Sequence, residues 1–365
     1  MDSLMIKKII IEEGAGHYKL SENILKKLGH IPAAKGTHDD VSFKRDMQMD
    51  LDKETLRLIH FRGEFLKPCP GTKGYICCGY QILNIGTNCP MDCSYCILQA
   101  YFNKPSLRVF VNLEKELDNI GGIIDSHPER IFRIGTGEFT DSLALDQLTG
   151  WSRSLPAFFS NKRNAVLELK TKTDNIDGLL SSPYRERIIV SWSLNSADIS
   201  AREEHGAISI KKRLIAAKKC QEEGFIVGFH FDPLIHYRDW ADGYLKTIEL
   251  LDKYIDPKKV IWISMGCLRY IPELKSIIRK RHPGTHILDG EFVNASDGKM
   301  RYFKPIRLEI YSLIKENLDK WNNDLGLYLC MESSDVWLSS FGWSPEDTNG
   351  LLEYLDKRVL KIYEK

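Results

Sequence analysis

Three cysteines within eight residues constrain this chain more than any other feature. In Cys89-Pro-Met-Asp-Cys93-Ser-Tyr-Cys96 the thiols recur as C-x3-C-x2-C, directly after the apolar run Tyr80–Gly86. A tight loop of this kind aims three sulfurs at one side of a small inorganic cluster. Iron–sulfur clusters normally take four cysteines, so a set of three leaves one iron with an open position. A structural zinc ion is the competing reading, with Cys69, Cys77 or Cys78 as fourth ligand. Zinc sites usually pair two C-x2-4-C knuckles, or one knuckle with H-x3-5-H. No second knuckle follows here.

Nine cysteines in a chain of 365 residues suit cluster ligands plus scattered core thiols rather than a disulfide framework. The first residues carry no long apolar segment of the signal-peptide type. No run of about 18 apolar residues occurs, so no membrane span is expected. A reducing, cytoplasmic location is the expectation. Formal net charge is +1, which supplies no global field toward duplex nucleic acid or membrane.

From Tyr80 onward, apolar or β-branched runs alternate with segments of helical spacing. The runs are Gln81–Ile85, Ile131–Ile134, Val166–Leu169, Ile188–Leu194, Ile226–Phe231 and Val260–Ser264. Alternation of this kind predicts an α/β fold with a parallel sheet. Three regions are expected: an N-terminal appendage (1–75), the repeating core (76–289) and a C-terminal extension (290–365). In the appendage, residues 5–12 predict a strand, Ser21 an N-cap for a helix over 22–28, and 39–52 a charged connector with helix. In the extension, Asp297-Gly298 predicts a hairpin. Lys299, Arg301, Lys304 and Arg307 would give it a positive face, and Phe292, Tyr302 and Phe303 stacking surfaces. It reads either as a solvated hairpin or as a phosphate-contacting one.

In parallel barrels, reactive groups gather at the C-terminal ends of strands. The cysteine loop follows the first strand. Gly135-Thr136-Gly137-Glu138 follows the second, and its glycines let backbone approach a ligand. Lys172 ends the third strand and Ser193 the fourth. Phe229-His230-Phe231-Asp232, with His236 beyond, ends the fifth. Asp232 is the candidate catalytic and substrate-binding residue, with His230 and His236 as substrate-binding neighbours.

The triplet spacing, with Tyr95 before its last cysteine, resembles the radical S-adenosylmethionine (SAM) superfamily. That resemblance implies a partial (β/α)6 barrel, a 4Fe–4S cluster on Cys89, Cys93 and Cys96, and SAM on the open iron. It implies that Gly135, Thr136, Gly137 and Glu138 meet the SAM ammonium, that Lys172 pairs with its carboxylate, and that Ser193 bonds its ribose or carboxylate. A flavodoxin- or ferredoxin-type electron donor is implied too.

A closer resemblance runs through Tyr95–Gln99, Lys104–Asn112, Thr171-Lys172, Ser193–Ser196 and Arg213–Lys218, from about residue 8 to about 305. These stretches are similar to the spore photoproduct lyase family, which repairs a covalent thymine dimer in DNA by taking and returning a hydrogen atom. Two positions depart from it. The family's hydrogen-donating cysteine has no counterpart in Gly135-Thr136-Gly137, and Ile97 stands where the family has a tyrosine. Neither threonine nor isoleucine can replace a thiol or phenol as hydrogen donor.

Near-neutral charge, the missing relay and Asp232 as a partner for adjacent N–H donors favour a mononucleotide. The first expectation is therefore a radical SAM lyase that releases queuine from queuosine 5′-phosphate. Photoproduct repair, with the hairpin contacting nucleic acid, is the alternative. A nucleic-acid-binding protein with a structural metal is a third.

Overall fold

The structure, a computed structural model, describes residues 6–37, 52–102, 104 and 106–363. The expected connector over 39–52 lies almost wholly outside the described residues.

The chain opens with β1 (Lys8–Glu12), a helix (Lys19–Lys27), β2 (Ala33–Gly36) and β3 (Thr55–Ile59). Then come β4 (Leu66–Pro68), β5 (Gln81–Leu83), β6 (Gly86–Thr87), β7 (Asp92–Cys93) and β8 (Leu107–Phe110). Ser21 is not the N-cap that its position suggested. The first helix starts two residues earlier, and the buried Ser21 hydroxyl donates back to the Ala15 carbonyl at 2.6 Å. The first sheet has the order β2-β1-β3-β8-β6. Its last two members flank the cysteine loop, so the N-terminal strands pair with chain on either side of the thiols.

The barrel strands are β5, β9 (Phe132–Gly135), β10 (Ala165–Thr171), β11 (Ile188–Ser193), β13 (Ile226–Leu234) and β14 (Val260–Cys267); β12 (Glu204–His205) pairs elsewhere. All six predicted runs form, side by side and parallel. Every residue of β11 and β14 is buried. Strands covered on both faces read as continuous apolar runs, which is why the sequence pattern found them. Helices Leu113–Asp125, Ile210–Glu222 and Trp240–Tyr254 cover the outer face through Ile120 and Ile124, Leu214 and Ala217, and Tyr244 and Leu251. The Ser209 side chain caps the second of these by accepting from the Lys212 amide.

Two further strands extend the curled sheet, which stays open. β4 pairs antiparallel with β5, and β18 (Leu327–Leu329) pairs parallel with β14. The hairpin forms as β16 (Phe292–Asn294) and β17 (Met300–Tyr302), and β15 (Arg269–Tyr270) joins it as a third strand. Its expected positive face does not form, because the basic side chains are engaged within the protein. Arg301 pairs with Asp297 at 2.7 Å, and Lys299 Nζ donates to the Thr72 hydroxyl at 2.7 Å. Arg307 pairs with Glu332, and Lys304 with Asp335. Phe292 stacks on the buried Tyr302, centroids 4.4 Å apart, which leaves Phe303 exposed. Among the described residues no helix is long and apolar enough to cross a membrane.

Candidate active site

The cysteine loop is pinned from three sides. β7 pairs antiparallel with β12, and the Ser94 amide donates to the Glu203 carbonyl at 2.8 Å. The Ser94 hydroxyl and Tyr95 phenol donate to the Glu203 and Glu204 carboxylates. Burial disfavours the Glu204 charge, but Arg213 and Lys172 outweigh it and hold its pKa below the usual range. On the other side, Asp92 accepts from Lys53 and from Arg281, each at 2.7 Å. Burial opposes the Asp92 charge as well, yet these cations hold its pKa at about 2. Gln99 donates to the Cys93 and Ser94 carbonyls at 3.2 and 2.9 Å, which fixes the inner turn.

Cys89, Cys93 and Cys96 all line one cavity of about 330 Å³ at the C-terminal ends of the strands. Burial pushes the Cys89 thiol up to about 12 and raises that of Cys93. Bound metal would invert this, since a coordinating thiol is deprotonated outright. Three soft donors on one wall, with no fourth cysteine on that cavity, fit a cluster with one open iron. Cys69, Cys77 and Cys78, the fourth zinc ligands that the sequence left open, line a neighbouring cavity instead.

Gly137, Glu138, Lys172 and Ser193 line the same 330 Å³ cavity. A Cβ at Gly137 would come within 2.8 Å of the Lys170 side chain, so only glycine brings this backbone to the wall. Burial works against the Lys172 charge, but Cys93 and Glu204 outweigh it and raise its pKa. Its ammonium stands 5.7 Å from the Tyr95 ring centroid. Gly135 and Thr136 of the expected set do not line that cavity. The buried Thr136 hydroxyl donates to Ser142 at 2.7 Å, and a Cβ at Gly135 would fall 1.5 Å from the Tyr80 oxygen. Nothing in the sequence singles out Asp141. Its carboxylate accepts from the amides of Leu143, Ala144 and Lys172 and from the Thr171 hydroxyl, tying the second strand end to the third.

Asp232 stands where the first cavity meets a second one of about 480 Å³. Arg269 grips it through both guanidinium nitrogens, each at 3.2 Å. Arg269 follows the sixth strand, the one strand end where the sequence offers no candidate. His230 lines the second cavity with both ring nitrogens engaged, Nε2 with Glu168 at 2.9 Å and Nδ1 with Ser264 at 2.6 Å. Glu168 also accepts from Tyr80 and Trp262 at 2.8 and 2.9 Å and from Ser191. His236 is not part of this constellation. It lines a separate surface cleft and packs against Trp240 and Tyr302.

The family model described as Spore photoproduct lyase matches residues 77–320. Spore photoproduct lyase of Geobacillus sp. (strain Y412MC61) is 26% identical over 206 residues, 56% of this chain and 60% of that protein. The Bacillus subtilis (strain 168) enzyme is 27% identical over 209 residues, 56% of this chain and 61% of that protein. The chain thus matches about 60% of the length of these curated relatives. A solved spore photoproduct lyase mutant with dinucleoside spore photoproduct superposes with TM-score 0.78 at 22% identity, over 89% of this chain and 98% of that one. A mutant with bound AdoMet and the same ligand gives 0.77 at 22% identity, over 90% and 99%. At this identity the likeness is one of fold.

Proposed function

Since the chain belongs to the spore photoproduct lyase family of radical SAM proteins, we propose that it is a radical SAM lyase that splits a thymine photoproduct. The shared cavity wall of Cys89, Cys93, Cys96, Gly137, Lys172 and Ser193 carries the radical SAM part of this reading, and the family match supports the photoproduct as substrate. When bound, cluster and SAM supply a hydrogen-abstracting radical, and the protein supplies position and exclusion of water.

In this reading Lys172 holds the SAM carboxylate through its ammonium. The Gly137-Glu138 backbone and carboxylate take the SAM ammonium, and the Ser193 hydroxyl takes the ribose or carboxylate. Asp232 and Arg269 face the junction of the two cavities. One accepts and the other donates, which suits the alternating acceptor and N–H edge of a pyrimidine base. Thr136 and Ile97 carry no labile hydrogen of the required strength, so the product radical would be quenched by one electron from the external reductant and one solvent proton, and the abstracted hydrogen would leave with 5′-deoxyadenosine, one SAM spent per turnover. Release of queuine from queuosine 5′-phosphate, the first expectation from sequence, draws no support from the family match or from the relatives. Photoproduct splitting takes its place.

The test is an anaerobic incubation of reconstituted, dithionite-reduced protein with SAM and dinucleoside spore photoproduct, with queuosine 5′-phosphate in a parallel vessel. Thymidine products together with 5′-deoxyadenosine are expected in the first vessel only. Free queuine in the second, with the photoproduct intact, would overturn the reading.

A further inference from the structure

Four of the nine cysteines lie outside the site described above yet share one cavity. Cys69, Cys77 and Cys78 come from the loop of residues 69–80 between β4 and β5. Cys330 directly follows β18. All four line the 480 Å³ cavity beside the radical site, and none is in a disulfide.

Specific contacts bring the two segments together. The Ile76 amide donates to the Glu332 carbonyl at 2.9 Å. The Thr72 hydroxyl lies 3.3 Å from the Met331 sulfur and accepts from Lys299 at 2.7 Å. The Cys330 amide donates to the Met265 carbonyl at 2.8 Å, so β14 sets its position. Gly71, at φ 57°, turns the loop back on itself, and a Cβ there would come within 3.2 Å of the Cys77 sulfur.

The donor set is soft, and four thiolates select zinc or an iron–sulfur cluster. Around one zinc ion, with Zn–S near 2.3 Å, thiolates lie within about 4 Å of one another. Among the described residues no three His, Cys, Asp or Glu side chains converge tightly enough to hold a single ion. That holds for Cys89, Cys93 and Cys96 too. Two guanidinium groups stand beside the thiols. Arg269 Nη2 is 3.4 Å from the Cys330 sulfur, and Arg133 Nη2 donates to the Cys78 carbonyl at 2.6 Å. Each is also paired with a carboxylate, Arg269 with Asp232 and Arg133 with Asp356 at 2.8 Å.

We propose that Cys69, Cys77, Cys78 and Cys330 hold a second iron–sulfur cluster, separate from the one on Cys89, Cys93 and Cys96. The site stands whether or not the photoproduct reading does, because its test counts metal rather than product. Protein reconstituted anaerobically with iron and sulfide is expected to carry roughly eight irons per chain, two four-iron clusters. The variant C89A/C93A/C96A is expected to keep about half. The variant C78A/C330A also loses about half, but keeps an electron paramagnetic resonance signal that responds to SAM. About four irons in the unaltered chain would overturn the proposal, as would iron unchanged in C78A/C330A. Zinc without sulfide at these thiols would overturn it as well.

Discussion

Arg213 and Glu204 form an ion pair of 2.5 Å with essentially no solvent access, and the same carboxylate accepts from the Tyr95 phenol inside the cysteine loop. Arg213 also donates to the Ser193 carbonyl at 2.9 Å. One guanidinium thus connects the loop that carries the thiols to the fourth strand end.

Removing one partner of a buried pair leaves an uncompensated charge and typically costs about 3–5 kcal/mol. R213M should lose stability on that scale in urea denaturation of the metal-free protein, and should retain less iron after reconstitution. R213K keeps the charge without the forked geometry and should fall between the two.

Gly135 and Gly122 should respond oppositely to alanine. At Gly135 the added carbon would meet the Tyr80 oxygen at 1.5 Å and break the Tyr80–Glu168 hydrogen bond, so G135A should destabilise by about 1–3 kcal/mol. At Gly122, within helix Leu113–Asp125, nothing lies within 4 Å of the new carbon. G122A should therefore stabilise by up to about 1 kcal/mol. Paired thermal melts check both signs.

The barrel floor sets an acid limit. Burial opposes the Glu168 charge, but His230, Ser191 and Trp262 outweigh it and hold the pKa at about 2, below the ordinary 4.5. A carboxylate depressed in the folded state contributes stability that is complete above its unfolded value and is lost as pH falls through the folded one. Unfolding free energy should therefore drop between about pH 4.5 and 2, and E168Q should show a flatter profile across that window.

Binding of SAM to the reconstituted protein should weaken about tenfold, roughly 1.4 kcal/mol, in K172M, and by less in S193A. H236A should bind as the unaltered chain does, since His236 lines a different cleft. Equilibrium dialysis with labelled SAM separates the three.

Much of this site was legible in sequence because its parts follow strand ends. Apolar runs located β9, β10 and β11, and the polar residues just past them located Gly137, Glu138, Lys172 and Ser193. Side chains whose role depends on partners distant in the chain were not legible. Arg269 looks like any surface arginine until β13 brings Asp232 beside it, and Glu204 gives no sign that it bonds Tyr95, 109 residues away. Gly135 and Gly137 look equivalent as a pair. Only the position of Tyr80 shows that one serves packing and the other lines the cavity. The basic hairpin misled in part for the same reason, since the carboxylate partners of Arg307 and Lys304, Glu332 and Asp335, come later in the chain; Arg301 is instead neutralised within the turn by Asp297.

The central claim is that Cys89, Cys93 and Cys96 assemble a SAM-cleaving site on the cavity wall that Lys172 and Ser193 share. Its most direct test is 5′-deoxyadenosine formation from SAM by the reconstituted, dithionite-reduced protein, compared with C93A. Formation by the unaltered chain and none by C93A is the predicted result. Equal formation by both, or none by an unaltered chain loaded with iron and sulfide, would contradict it.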